Sequence, residues 1–282
     1  MTHIIDGKKI ALEILAELKP HIEQLKEIGI TPKLVNIAYN PDSRSEMYIE
    51  MKRQQAEKIG IEYEYIDLSD TTQADCIQRM TLLANNNSVH GIIVQLPIND
   101  YDDPQSLLNI IPPSKDVDGL SDQSLLDLQH NQAKLQPATP LAIIELLKRS
   151  AVDLQGKKVA VIGQGKLVGK PLGYMLQNLN VDTLLADAST VDLAKITQQA
   201  DIIISATGQP GLITADLVPQ GSIIIDAGIA EVEGVAKGDV DFNDVKNKVN
   251  LISPVPGGVG PVTVAMLLSN VVTSAQKNIP DQ

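Results

Sequence analysis

One cysteine, Cys76, stands in 282 residues, so neither an intrachain disulfide nor a cysteine-rich metal site can form, which fits a reducing cytoplasm. A small buried hydrophobe is the ordinary use of such a residue. Basic charge is also scarce: 23 Lys and Arg face 35 Asp and Glu, giving a formal net charge of -12 and a pI near 4.7. That surface has no basic surplus to neutralise phosphates, which argues against nucleic-acid or anionic-membrane partners and leaves small molecules. The four histidines, His3, His21, His90 and His130, are scattered without metal-ligand spacing, so no metal site is expected. No stretch reads as the roughly 18 apolar residues of a membrane span. Met1 to Lys9 carries charge without the apolar run of a signal peptide.

The remaining composition, 43% hydrophobic and 21% charged, is that of a globular protein long enough for two domains. In the first half, Lys33 to Tyr39, Ile61 to Leu68 and Gly91 to Leu96 read as strands separated by helical patterns, which predicts a parallel α/β domain. Turn residues from Ile111 to Gly119 break the pattern, and Thr139-Pro140 opens a helix with proline in its first turn, placing a boundary near residue 140. Beyond it, strands are expected at Lys157 to Gly163, Val181 to Ala186, Asp201 to Ser205 and Ser222 to Asp226, a second α/β unit with the look of a nucleotide domain. A last helix from Val262 to about Gln276 is expected to return to the first domain.

Tyr48-Ile49-Glu50-Met51-Lys52 sets a phenol and an amine one turn apart on a predicted helix, where both can reach one substrate. An exposed amphipathic helix would carry the same residue types. The helix reads as opening with a capping box, Ser43 and Glu46, and closing at Gly60. Tyr48 and Lys52 then lie near the carboxyl edge of the preceding strand, where open α/β sheets bind ligands. Gln95 interrupts the apolar run Gly91 to Pro97; a buried amide needs partners, either an amine such as Lys52 or a loop backbone. Asp116 and Asp118 sit in a turn, where aspartates bond their own backbone, although a carboxylate facing a ligand could accept two parallel N–H bonds from an amino-pyrimidine ring. Gly163-Gln164-Gly165-Lys166-Leu167-Val168-Gly169 closes a strand and opens a helix, so its N–H groups can hold a pyrophosphate, though its glycine spacing departs from GxGxxG. Pro254 to Thr263 packs Pro256, Gly257 and Gly258 so densely that close backbone approach to a ligand is expected, with Thr263 in the first turn of the last helix.

These motifs, in this order, resemble the bifunctional methylenetetrahydrofolate dehydrogenase/cyclohydrolase (FolD) family over nearly the whole chain. The matching pieces are Ile5 to Lys8, Ser45 with Tyr48 and Lys52, Val94 to Pro97, Lys115 to Gly119, Thr139-Pro140, the Gly163 turn, Ala206 to Gly208, Ile225 to Ile229, Gly238 to Val240 and Pro254 to Thr263. The resemblance implies a folate-binding catalytic domain, residues 1–140 plus a C-terminal helix of about 265–282, and a Rossmann-like NAD(P) domain, 141–264, with a cleft between them. It implies two reactions at one site: hydride transfer from 5,10-methylenetetrahydrofolate to the nicotinamide, then hydrolysis of the methenyl product to 10-formyltetrahydrofolate. Lys52 is then the main catalytic group, Gln95 tunes it, Tyr48 positions the folate and Asp118 anchors the pterin. Pro256, Gly257 and Gly258 lie along the ligands, and Gly163, Gln164, Gly165, Asp187, Thr207 and Ile229 line the cofactor. Family members are cytoplasmic and typically homodimers.

The chain departs from that family at the cofactor turn. Gln164-Gly165 replaces the usual Arg-Ser, and Ala188 replaces a serine that helps hold a 2′-phosphate. Asp187, 24 residues after Gly163, is near the acidic position that binds the ribose hydroxyls of NAD. These residues favour NAD; against that, Lys166 and Lys170 could supply positive charge, and family usage favours NADP. The altered turn leaves open an enzyme with only one of the two activities, or a non-catalytic dinucleotide or folate sensor. Asn40 stands near a customary glycine and tolerates positive φ, and Ala138 replaces a frequent cysteine.

Overall fold

A computed structural model describes residues 2–232 and 234–277. In chain order its elements are β1 (His3–Ile4), α1 (Gly7–Glu27), β2 (Lys33–Ala38), α2 (Ser43–Ile59), β3 (Glu62–Asp67), α3 (Gln73–Asn85), β4 (Gly91–Val94), α4 (Pro104–Leu108), α5 (Asp122–Gln129) and α6 (Ala138–Arg149). There follow β5 (Lys158–Ile162), α7 (Gly169–Asn178), β6 (Asp182–Ala186), α8 (Leu193–Thr197), β7 (Ile202–Ser205), β8 (Ile223–Asp226), β9 (Ala230–Val232), β10 (Val235–Lys237), α9 (Phe242–Val245), β11 (Leu251–Ile252) and α10 (Val259–Lys277). The chain divides into two α/β units, one from Leu12 to Ala138 with the described residues from Val264 onward, the other from Thr139 to Thr263 with the residues up to Ala11.

The first unit is built on a three-stranded parallel sheet in the order β3-β2-β4. Val35 and Ile37 of β2 and Ile92 and Val94 of β4 are buried in one cluster with Cys76 and Met80 of α3. That cluster accounts for the single cysteine as packing. Helix α2 begins where Asp42 accepts the Ser45 N–H at 2.7 Å, and it ends at Gly60, whose φ of 92° closes the last turn. The N-cap is thus Asp42, whose backbone is extended (φ -80°, ψ 169°), and not Ser43, which is the first helical residue; the Glu46 N–H that Ser43 would cap bonds the Asp42 carbonyl at 3.0 Å. On its outer face Arg53 bonds Glu50 and Glu57, at 2.7 and 2.8 Å. Exposed pairs of that kind contribute only about 0.3–0.5 kcal/mol each, so α2 is held by its buried side. There Tyr63 of β3 accepts from Asn36 of β2 at 2.8 Å and donates to the Ile49 carbonyl at 3.2 Å.

Helix α10 begins at Val259, three residues before the expected start, so Thr263 lies beyond the first turn and its hydroxyl bonds the Val259 carbonyl at 3.2 Å. By length and composition α10 is apolar enough to cross a membrane, contrary to the sequence reading, but 67% of that stretch is buried inside the fold. It is a core helix. Its Asn270 donates to the Val117 and Gln136 carbonyls, each at 2.8 Å, and Ser274 donates to the Ser114 carbonyl at 2.7 Å.

The second unit holds a parallel sheet in the order β1-β11-β8-β7-β5-β6, with β9 and β10 as a separate antiparallel pair. Its interior combines Ala160 and Ile162, Ile203, Ile224 and Ile252 from successive strands. Sequence reading assigned residues 1–140 to one domain, but the first eleven residues group here. His3 N–H bonds the Asn250 carbonyl at 2.8 Å and Ile5 N–H the Ile252 carbonyl at 2.9 Å, making β1 the sheet's edge strand. Two residues of strand carry no period to read.

Asn270 ties α10 to the turn that holds Asp118, so Asn270→Leu takes the donor from the buried Val117 carbonyl and from the partly buried Gln136 carbonyl. It is expected to lower unfolding free energy by about 1–3 kcal/mol, read from urea denaturation. An unchanged midpoint would show that these bonds contribute nothing.

Candidate active site

The first group of residues forms around a buried amine. Lys52, one turn after Tyr48 on α2, is 8% exposed, and its Nζ donates to Gln95 Oε1 at 2.8 Å. Gln95 follows β4, and its own N–H bonds the Ile37 carbonyl at 2.7 Å, so the sheet fixes its backbone. The Gln95 Nε2 donates to the Leu96 carbonyl at 2.9 Å. A carbonyl can only accept, so the amide must turn its NH₂ toward Leu96 and its oxygen toward Lys52. Both partners that sequence reading weighed for Gln95, amine and loop backbone, are therefore present at once. Ser45, buried on α2, has its Oγ 3.5 Å from the same Leu96 carbonyl, at the outer limit of a hydrogen bond.

Burial pushes the Lys52 amine below its ordinary value, and the negative charge of Asp118 opposes that shift without overcoming it. Asp118 is affected in the reverse sense: loss of solvent pushes its carboxyl up, Lys52 pulls it down and Asp116 adds to the rise. Among the described residues neither the Asp118 carboxylate nor the half-buried Tyr48 hydroxyl has a hydrogen bond. Both remain available to a ligand. Asp116 has the opposite fate. Its carboxylate accepts the N–H groups of Gly119, Leu120 and Ser121 at 2.9, 3.2 and 2.8 Å, so it shapes the turn and is spent. Lys115, also buried, donates to the Ala84 and Asn86 carbonyls at the end of α3. Asn40 takes φ 46°, as its tolerance of positive φ allows.

In the second unit Gly163, Thr207 and Asp187 gather at the carboxyl edge of the sheet, where the strand order reverses between β5 and β7. Gly163 has φ 92°, and its N–H bonds the Ala186 carbonyl, directly before Asp187, at 2.8 Å. A Cβ on Gly163 would overlap the Ala206 carbonyl, and one on Gly169 would overlap the Gly163 carbonyl. Helix α7 starts with no side-chain cap; the Lys170 N–H bonds the Gly165 carbonyl at 3.1 Å and Pro171 has no N–H, so the Gly169 N–H is the one left at its start, and Gly165 faces open space. This cradle fits a pyrophosphate. Gln164 turns away from it, its Nε2 donating back to the Val161 and Gly163 carbonyls at 3.2 and 3.1 Å. Exposed Asp187 accepts from the Ser189 N–H and hydroxyl at 2.9 and 2.6 Å, which holds its carboxyl below the usual range and therefore ionised. Ile229 lies just past β8 and is half-buried. Pro256, Gly257 and Gly258 lead into α10: Pro256 is in a cis peptide bond, Gly257 has φ 104°, and a Cβ on Gly258 would press on Pro254.

The tetrahydrofolate dehydrogenase/cyclohydrolase catalytic domain matches residues 5–118, and the NAD(P)-binding domain of the same family matches 137–279. The "bifunctional protein FolD" of Macrococcus caseolyticus is 40% identical over 97% of this chain and 98% of its own. That of Desulforamulus reducens is 42% identical, with both chains wholly covered. Among solved structures, the bifunctional FolD methylenetetrahydrofolate dehydrogenase/cyclohydrolase from Campylobacter jejuni matches with a TM-score of 0.95 at 38% identity, over 99% of this chain and 100% of that one. The Trypanosoma brucei enzyme, complexed with NADP cofactor and inhibitor, matches with 0.93 at 32% identity over 99% of both chains.

Replacing the neutral partner of Lys52 by a charged one tests the electrostatics directly. Gln95→Glu sets a carboxylate at 2.8 Å from the amine, so the Lys52 titration must move to higher pH. A ¹⁵N-detected titration of the lysine side chains reads this; no upward movement would mean that Gln95 does not face the amine in solution.

Proposed function

The chain belongs to the tetrahydrofolate dehydrogenase/cyclohydrolase family, and from that premise we propose how its own residues carry the family's two reactions. It oxidises 5,10-methylenetetrahydrofolate to the methenyl form by hydride transfer and hydrolyses that product to 10-formyltetrahydrofolate. We assign folate chemistry to the unit containing Lys52 and dinucleotide binding to the unit containing Gly163. The cofactor is NADP, the form bound to the trypanosomal relative, which supplies the hydride acceptor. Its pyrophosphate would lie on Gly163, Gly165 and the start of α7, with Thr207 and Ile229 toward the nicotinamide. NAD is the form that Gln164, Gly165, Asp187 and Ala188 favour, since no arginine stands at the turn and Asp187 is a negative charge.

The Lys52–Gln95 bond, 2.8 Å long and buried, carries this reading. The methenyl carbon of the oxidised folate is cationic. Water attacks it, and both of that water's protons must leave before the formyl C=O forms: one is matched by the proton that reaches the ring nitrogen departing when the ring opens, the other is released to solvent. An amine with a lowered pKa can accept a proton from that water and deliver one to the nitrogen, whereas a guanidinium, fixed in its charge, could do neither. Gln95 accepts a hydrogen bond from Lys52 in either protonation state without adding charge. Asp118, with its carboxylate oxygens unused, would accept two parallel N–H bonds from the pterin. Tyr48, one turn from Lys52, would stack on the folate and donate its hydroxyl. Pro256, Gly257 and Gly258 would run along the ligands. A homodimer in the cytoplasm completes the reading; the buried Cys76 and the acidic surface agree with it.

A two-stage absorbance assay tests it. Methylenetetrahydrofolate with NADP should build methenyl absorbance, which then decays as the formyl product forms. Lys52→Met should lower that decay by at least 10²-fold, the scale of a lost general acid–base, with folate still bound. Undiminished decay would remove Lys52 from its role.

A further inference from the structure

Two motifs remain without a task, Ile225 to Ile229 and Gly238 to Val240, and their aspartates are among the most deeply buried charged groups of the second unit. Asp226 is 3% exposed and Asp239 0%. Asp226, the last residue of β8, accepts the N–H groups of Gly228, Asp239 and Val240 at 3.0, 3.1 and 2.9 Å. Asp239 accepts the Ser205 hydroxyl at 2.7 Å and the Thr207 N–H at 2.6 Å, both on one oxygen. Its other oxygen is buried with no partner. Glycine is required beside each: a Cβ on Gly228 would overlap the Asp239 carboxylate, and one on Gly238 would overlap that of Asp226. Among the described residues no Lys, Arg or His pairs with either aspartate.

Burying two carboxylates with no cation is a poor way to stabilise a fold. Burial and the nearby Asp239 push the Asp226 carboxyl up to about 7, even against three N–H donors. What the pair achieves is geometric. Ser205 and Asp226 are register partners at the carboxyl ends of β7 and β8, and the two carboxylates fasten the backbone that leaves each strand, at Thr207 and at Gly228. Those two exits carry Thr207 and Ile229. We propose that Asp226 and Asp239 are positioning residues for the dinucleotide: they lock the loops after β7 and β8 into the form that receives it, without touching the folate chemistry. The proposal rests on the second unit being the dinucleotide site.

The two reactions separate a positioning role from a structural one, because methenyltetrahydrofolate hydrolysis can be followed with no dinucleotide present. Asp239→Ala should raise the Kd for NADP, measured by calorimetry, and the KM for NADP by roughly tenfold, equivalent to about 1.4 kcal/mol, while hydrolysis stays within about twofold of wild type. Asp239→Asn, which keeps an acceptor for Thr207, should recover most of the affinity. Ser205→Ala, a smaller cut in the same clamp, should raise the Kd in the same direction and serves should Asp239→Ala fail to fold. An unchanged Kd in the variants, or an equal fall in both activities, overturns the proposal. If wild-type protein binds no NADP, the assignment of the second unit falls, and this proposal falls with it.

Discussion

A buried lysine facing a neutral amide is the constraint on which the rest of the first unit turns. An ammonium taken out of water loses several kcal/mol of solvation, and the fold meets that loss in two unequal ways. A carboxylate in direct contact would restore it fully and hold the proton on the amine. Gln95 restores only part, through one hydrogen bond of 2.8 Å, and the charge of Asp118 adds a pull that does not offset burial. The amine is left with a lowered pKa and with donors still free, which is the condition for moving a proton in both directions.

Holding that compromise requires the surroundings to be fixed by groups that take no part in it. The Leu96 carbonyl orients the Gln95 amide, and the β-ladder orients Gln95 itself. Asp116 spends its carboxylate on three N–H groups of the turn, which is why its neighbour Asp118 can keep both oxygens unbonded. Asn270 reaches from α10 to the carbonyl between these two aspartates. Alternate residues of one short segment thus divide into a structural carboxylate and a free one.

Much of this was legible from residue order. Apolar runs marked β2, β3 and β4 of the first sheet and β5, β6, β7 and β8 of the second to within one or two residues, though not the two-residue β11, and the odd polar residue in such a run singled out Gln95. Gly60 announced the end of α2, and Gly163 with Gly169 the tight turn from β5 into α7. Three features were not legible, for separable reasons. Strand β1 is two residues long, so no alternation identifies it. Its place depends on Asn250 and Ile252, nearly the whole chain away. The cap of α2 was a choice between Asp42 and Ser43, adjacent residues that both favour caps, and only backbone geometry separates them. The membrane-like apolarity of α10 was undercounted because its small residues, Ser and Thr among them, interrupt the run without exposing it. Asp226 and Asp239 are thirteen positions apart, and the signal that joins them is steric: a glycine beside each, needed because the other's carboxylate fills the space of a side chain.

The two units handle buried charge by opposite rules, and the difference follows from what each must do. In the first, the proposed chemistry changes the charge of Lys52 during turnover, and its partner Gln95 is indifferent to that protonation state. In the second, nothing near Asp226 and Asp239 need change, and a carboxylate is used for the number of backbone groups it can hold. Together the pair takes four N–H groups and one hydroxyl. At Asp226 an amide would offer one acceptor oxygen and two donors where three N–H groups already converge. There a carboxylate brings two acceptor oxygens to three converging N–H groups, and burial raises the Asp226 pKa in spite of those donors.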